Sequence, residues 1–172
     1  MSRKPIHTRR TEYASYRRDD GLFEIEGKLI DTAATSGRSF HVMGLQMAFD
    51  DQLVIRSINE ILETVPFEDC RQGPDVYARL IGEKIAPGWK KRVGAIINRH
   101  ESCTHQLELL FNMGTVAYLA VSMAPLLDGI DPLTQSRDAG ARPFFLGGCK
   151  AWRLDGPIVA DKFPKFAEPK ND

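Results

Sequence analysis

A thiol, an imidazole and a carboxylate follow one another closely in the middle of the chain. Cys103, His105 and Glu108 stand at the start of an apolar segment, and His41 and Cys70 lie upstream at the edges of other predicted elements. The chain has only three cysteines and four histidines, so their grouping is more typical of a metal site than of chance. The sequence therefore predicts that these side chains gather around a metal.

The predicted metal ligands are two imidazoles and two thiols. A transition-metal site needs three or four nitrogen, sulfur or oxygen ligands, and a catalytic site leaves one position for water or substrate. His41, Cys70, Cys103 and His105 supply such a set. The expected cofactor is one transition-metal ion per chain, and thiol with imidazole favours Zn or Fe(II). The alternatives are that the cysteines are small core residues and that His41 is a hydrogen-bonded edge histidine.

Two residues are candidates for catalytic proton transfer. Glu108 lies three residues after His105, so the two share one helix face, where Glu108 could bind the metal, orient an imidazole or move a proton. Tyr77 is the second candidate base, and the sequence does not choose between them. Aromatic and thioether side chains are available to line a pocket, although core packing is the expectation for any single one of them. They are Phe40, Met43, Trp89, Phe111, Met113 and Trp152.

The spacing of apolar residues predicts the elements that must position these groups. Alternation predicts strands over 22–31, 40–49 and 53–65, joined by short turns into an antiparallel meander. Helical spacing, caps and breakers then predict a run of helices. The ranges are 76–82 with Asp75 as the cap, 89–98, and a long helix from Thr104 to about residue 124. Strands followed by helices indicate an α+β fold, with the helices on one face of a three-stranded sheet.

The predicted domain is a single α+β metal-binding unit over 19–160, between an N-terminal arm, 1–18, and a tail, 161–172. Within it, 128–147 is predicted to be a loop and 149–159 a short strand or hairpin. The arm carries a basic run, for which a solvated segment is the expectation and a substrate-anion or nucleic-acid role is the alternative. The run consists of Arg3, Lys4, Arg9, Arg10, Arg17 and Arg18.

The composition limits the partners of the protein. The 172 residues are 42% hydrophobic and 27% charged with a net charge of zero, which describes an ordinary soluble domain without a global field toward nucleic acid or membrane. The three cysteines cannot all pair within one chain, and no apolar leader precedes them, so we expect a cytoplasmic protein. Composition leaves open whether the protein forms a homo-oligomer.

Motifs along nearly the whole chain resemble the bacterial family known as domain of unknown function 2889. They are Arg17–Phe23 (RRDDGLF), His41–Met43 (HVM), Ala86–Trp89 (APGW), Cys103–Leu110 (CTHQLELL) and Trp152–Gly156 (WRLDG). For some members, the resemblance implies lyases that degrade lignin-derived aromatic dimers and release a hydroxymethyl carbon as formaldehyde.

A looser resemblance over residues 40–120 is to the NifU-type iron–sulfur scaffold. There His41 stands where that family has an acidic ligand, Cys70 matches the cysteine after the third strand, and Cys103 or His105 matches the ligand that opens the last helix. The first cysteine of that family has no counterpart, which favours a mononuclear metal over a cluster. Three hypotheses follow: a metal-dependent lyase, a metal or iron–sulfur carrier, and a metal-free interaction domain.

Overall fold

Buried side chains alternate with less buried ones along Phe23–Ala33, as the sequence of this segment predicts. The computed structural model describes residues 1–71 and 76–169. Within that part of the chain, the strands are β1 His7–Arg17, β2 Phe23–Ala33, β3 Ser39–Phe49 and β4 Ile55–Thr64. They form one antiparallel sheet in the order β1-β2-β3-β4. Helices follow the strands, so the α+β prediction is confirmed.

The sheet has four strands where the sequence predicts three. β1 occupies most of the stretch assigned to an arm, 1–18, and pairs with β2 from His7 opposite Ala33 to Arg17 opposite Phe23. Its side chains are mostly polar and exposed, so no apolar alternation marks it in the sequence. Backbone pairing with β2, rather than burial, holds this edge strand in place. The three-stranded NifU-like arrangement is therefore not the one observed.

One face of the sheet is apolar and buried. Leu29 lies opposite Met43, and Ile25 lies opposite Met47; all four side chains are buried. Gly27 lies between them on β2, and a Cβ there would stand 3.2 Å from Cε1 of Tyr13. The missing side chain thus allows the Tyr13 ring of β1 to lie close to the sheet.

The long helix α2, Thr104–Met123, packs against this apolar face, and its predicted range is confirmed. The Sδ atom of Met113 lies 3.5 Å from the position that a Gly27 Cβ would take. The Nδ2 group of Asn112 donates a hydrogen bond of 3.3 Å to the Tyr13 hydroxyl. The first turn of α2 lies at the end of the sheet where β2 ends and β3 begins.

Helix α1, Trp89–Ile96, packs on α2 through its first residue. The indole of Trp89 donates a hydrogen bond of 3.0 Å to the carbonyl of Leu110, and Gly114 leaves room for the ring. Two 3-10 helices precede α1, at Glu68–Arg71 and Val76–Leu80. The second takes the place of the predicted helix over 76–82, and its predicted cap, Asp75, lies outside the described residues.

The chain divides into two compact units, Met1–Val121 and Ser122–Asp172. The second unit has its own small core of Leu146, Val159 and Phe163. It contains helices α3, Pro132–Asp138, and α4, Pro157–Lys162, where the sequence predicts a loop and a strand or hairpin. Proline at the first helical position favours a helix start at both sites. Trp152 belongs to this unit, and its ring lies 4.9 Å from that of Phe145 in a tilted arrangement.

Among the described helices, Thr104–Asp128 is long and apolar enough to cross a membrane by length and composition alone. This criterion is weak for a single helix, because the central helix of a soluble domain also meets it. In this helix 33% of the apolar stretch is buried inside the structure. The cytoplasmic location stays a prediction.

Candidate metal centre

Three polar residues form a row across neighbouring strands at one end of the sheet. Arg9 of β1 is the direct cross-strand partner of Asp31 of β2, and Asp31 is the partner of His41 of β3. Directly paired residues project to the same face of a sheet. The antiparallel register therefore brings together side chains that are far apart in the sequence.

Asp31 is the centre of this row. Only 1% of the residue is exposed. The guanidinium of Arg9 donates two hydrogen bonds to its carboxylate, from Nε to Oδ1 at 2.8 Å and from Nη2 to Oδ2 at 2.7 Å. Nδ1 of His41 lies 2.8 Å from Oδ2, and it must donate because an ionised carboxylate only accepts. This hydrogen bond does not involve Nε2, the other ring nitrogen of His41.

His105 reaches the row from the first turn of α2. Its Nε2 atom lies 4.0 Å from Oδ2 of Asp31, and its ring centroid lies 4.3 Å from that of His41. One potential ligand atom from each of Asp31, His41 and His105 lies within 4.8 Å of the others. These three residues, which we call the Asp-His-His group, could hold a metal ion.

The start of α2 is fixed by hydrogen bonds on its own first turn. The carbonyl of Cys103 accepts the first helical hydrogen bond, from the N–H of Leu107 at 3.0 Å. The buried hydroxyl of Tyr77 lies 3.5 Å from the same carbonyl and 3.4 Å from Oε1 of Gln106. His105 lies on this first turn, two residues after Cys103.

The protonation states suit metal binding. The hydrogen bonds from Arg9, followed by that from His41, lower the pKa of Asp31 to about 2, against the opposing effect of burial. Burial lowers the pKa of His105, and the neighbouring His41 and Arg9 lower it further. Asp31 is therefore ionised and His105 is neutral near pH 7, as ligands must be.

In this structure Arg9 supplies the positive charge that pairs with the Asp31 carboxylate. A carboxylate offers about four lone-pair sites, so the two hydrogen bonds from Arg9 do not use all of them. The guanidinium also donates a hydrogen bond of 2.7 Å from Nη1 to Oε2 of Glu108. The carboxylates of Asp31 and Glu108 thus share one guanidinium, while His41 and His105 lie beside Asp31. This donor set fits a divalent ion, with Arg9 as a fixed positive neighbour.

The structure brings together some of the predicted ligands but not all. His41 and His105 belong to the Asp-His-His group. Sγ of Cys103 lies 3.6 Å from Nδ1 of His105 and 3.8 Å from Sδ of Met43, on the opposite ring nitrogen from Asp31. Cys70 is exposed in the 3-10 helix after β4 and is not a member of the group. β4 does end at this end of the sheet, since Thr64 pairs with Val42, but the Cys70 side chain is exposed beyond it.

The two predicted bases have different surroundings. Glu108 is half-buried, is paired with Arg9 and lines a cavity of about 300 Å³ together with Leu107 and Phe111. Tyr77 is fully buried, and this burial raises the pKa of its hydroxyl. A neutral phenol at the foot of α2 suits a positioning role better than proton abstraction. Of the two, the geometry favours Glu108.

Sequence reasoning missed Asp31 and Arg9. Asp31 continues the alternation of Phe23, Ile25 and Leu29, so it is a carboxylate on the apolar side of β2. A charged residue in phase with core positions is the signal that could have identified it. Arg9 gives no such signal, because its strand has polar residues on both faces.

The fold and the site together define an α+β domain with a carboxylate and two imidazoles at one end of its sheet. The chain belongs to the family described as "Protein of unknown function (DUF2889)", which matches residues 7–119. This confirms the first family resemblance, and the match includes every member of the Asp-His-His group. No curated protein and no solved structure matches the chain, so the NifU-type resemblance gains no support from them.

Proposed function

We propose that this protein is a metal-dependent carbon–carbon lyase that cleaves lignin-derived aromatic dimers and releases formaldehyde. The observation that supports a metal enzyme is the Asp-His-His group, whose potential ligand atoms lie within 4.8 Å of one another. Glu108, which lines the neighbouring cavity, adds a carboxylate within reach of a ligand there. The substrate class rests on the family resemblance.

Zn or Fe(II) is the ion that we expect. One carboxylate with two imidazoles is a ligand set found in catalytic zinc sites and in non-haem Fe(II) enzymes, and it leaves positions open for substrate. Such an ion supplies Lewis acidity, which stabilises the negative charge of a hydroxyl that loses its proton. The ionised Asp31 and the neutral His105 are already in the required protonation states.

In the proposed reaction Glu108 accepts the proton of the substrate's primary hydroxyl. The oxygen's electron pair then becomes the carbonyl bond of formaldehyde, and the adjacent C–C bond breaks. Its electron pair forms the double bond of a stilbene, while a phenolic or ether oxygen leaves from the next carbon and takes the proton from Glu108. No oxidant is needed. The ion pair with Arg9 at 2.7 Å holds the Glu108 carboxylate in place.

Formaldehyde release from a panel of diaryl compounds that carry a hydroxymethyl group tests the proposal. The metal-loaded protein should release one formaldehyde per stilbene, and methyl ethers of the same hydroxyl should be inert. Glu108→Gln should lower the rate by about a hundredfold or more, the usual cost of losing a general base. Cys70→Ser, at an exposed position outside the Asp-His-His group, is the matched control and should keep full activity.

If metal-loaded protein with verified stoichiometry released no formaldehyde from any member of the panel, the lyase assignment would fail. The metal or iron–sulfur carrier is the alternative function. Among the described residues, Cys103 is the thiol that contacts a member of the Asp-His-His group, which is too few thiols for a cluster. A stable visible chromophore after anaerobic reconstitution with iron and sulfide would favour the carrier instead.

A further inference from the structure

The cavity beside Glu108 combines an apolar floor with a basic rim. It has a volume of about 300 Å³. Its walls come from the first half of α2, from Lys90 of α1 and from Arg99, which follows α1. Leu107 and Phe111 of α2 form the apolar surface, while Lys90 and Arg99 bring positive charge. A volume of this size, with few polar groups on apolar walls, is typical of small-molecule sites.

The basic residues are available to a ligand. Lys90 and Arg99 are exposed, and neither forms an ion pair with any carboxylate in the part of the chain that the structure describes. The Nζ atom of Lys90 lies 5.9 Å from the centroid of the Phe111 ring. Glu108, the acidic residue of the lining, is already paired with Arg9. The cavity lining therefore carries two cations without an ion-pair partner among the described residues and one carboxylate, Glu108, whose partner Arg9 also pairs with Asp31.

We propose that this cavity binds an aromatic carboxylate. The acid group lies against Lys90 and Arg99, and the ring packs on Leu107 and Phe111. This inference rests on the proposed function and narrows it, because it makes the preferred substrates aromatic dimers with an acid substituent. The hydroxymethyl group of the substrate would then extend toward Glu108, which lines the cavity and also pairs with Arg9.

Calorimetric titration with three probes tests the binding claim without any turnover. The probes are trans-cinnamate, its neutral amide trans-cinnamamide and inorganic phosphate. Cinnamate should bind about tenfold more tightly than the amide, because only the acid can form charge-assisted hydrogen bonds with Lys90 and Arg99. Phosphate should bind much more weakly than cinnamate, because it cannot contact the apolar surface.

The Lys90→Met/Arg99→Met double variant should lose the preference for the acid, with about a tenfold weaker Kd for cinnamate and an unchanged Kd for the amide. Lys91→Met is the matched control, because Lys91 is the neighbouring exposed residue of α1 and does not line the cavity. All three substituted positions are exposed, so folding should be unaffected. Circular dichroism melting checks this point for each variant.

The same titration on His41→Gln separates this inference from the proposed function. Cinnamate should bind this variant as it binds the wild type, even if the protein proves to have no lyase activity. Equal affinity for acid and amide, tight phosphate binding or an unchanged double variant would each overturn the aromatic carboxylate site. None of these results depends on whether formaldehyde is released.

Discussion

At the scale of single residues, the site depends on how Asp31 is shared. Its carboxylate accepts hydrogen bonds from Arg9 and His41 and lies 4.0 Å from His105. Burying an ionised carboxylate is costly unless positive charge or hydrogen bonds compensate it. Arg9 therefore keeps Asp31 ionised inside the protein, and it does so from a strand that the sequence does not reveal.

Replacing Arg9 should destabilise the fold in a pH-dependent way. The pKa of Asp31 is lowered from 3.8 to about 2, which corresponds to about 2 kcal/mol of stability. The sign follows from linkage: this contribution is fully present above pH 4 and is lost as the pH falls toward 2. Urea unfolding of Arg9→Met in the presence of chelator should show a loss of about 2 kcal/mol at pH 7.

Arg10→Met is the control for this substitution. Arg10 is the next residue of β1 and projects to the other face, opposite Ile30. It should cost little, because exposed charges contribute about 0–1 kcal/mol. Equal losses for the two variants would mean that Arg9 does not stabilise Asp31.

Cys103 should act on His105 rather than bind the metal. Its sulfur lies 3.6 Å from Nδ1 of His105, whereas Nε2 of that ring is the nitrogen near Asp31. Co(II)-loaded protein should therefore lack a thiolate-to-metal charge-transfer band, and Cys103→Ser should leave the visible spectrum nearly unchanged. A strong band that disappears in this variant would make Cys103 a ligand, as its position in the sequence suggested.

At the scale of elements, α2 must approach both the sheet and α1 closely. A Cβ at Gly114 would lie only 2.3 Å from Cδ1 of Trp89, and the buried indole cannot move without losing its hydrogen bond to Leu110. The first turn of the same helix directs His105 toward the sheet. Packing between the two helices thus helps to hold the candidate site.

Gly114→Ala should lower the free energy of unfolding by about 1–3 kcal/mol, the usual cost of overpacking. Gly94→Ala in α1 is a matched control, because a Cβ there would meet no atom within 4 Å. It should raise stability by up to about 1 kcal/mol through helix propensity. Denaturant titration distinguishes the two, and a Gly114→Ala variant as stable as the wild type would contradict the packing described.

The sequence is sufficient to predict the ranges of the elements in which apolar residues recur periodically. β2, β3, β4 and α2 all lie close to their predicted ranges because one face of each is buried. β1 was missed because it is a polar edge strand, whose pairing comes from backbone groups that carry no side-chain signal. The same cause explains the site: His41 and His105 were predicted, whereas Arg9 and Asp31 meet only through the register of β1 with β2.

At the scale of the whole molecule, the candidate site belongs to one of the two units. The family match, 7–119, lies within Met1–Val121, which contains Arg9, the Asp-His-His group and the cavity. The second unit has a separate core of Leu146, Val159 and Phe163. The residues proposed for metal binding therefore do not require the second unit.

A chain that ends at Gly129 should fold and bind metal with the same stoichiometry as the full chain. Gly129 follows the 3-10 helix that continues α2, so the cut leaves α2 intact. Thermal melting with and without added Zn(II) measures both properties, since a ligand that binds the native state raises Tm. If the shortened chain folded but showed no metal-dependent shift, residues beyond Gly129 would be part of the site.

Metal stoichiometry tests the central claim most directly. Untagged protein would be dialysed anaerobically against Zn(II) or Fe(II), and the bound metal would be counted by mass spectrometry. We predict about one ion per chain for the wild type and for Cys70→Ser, with loss of binding in Asp31→Asn, His41→Gln and His105→Gln. A wild type that holds no metal, or histidine variants that bind it as well as the wild type, would contradict the account.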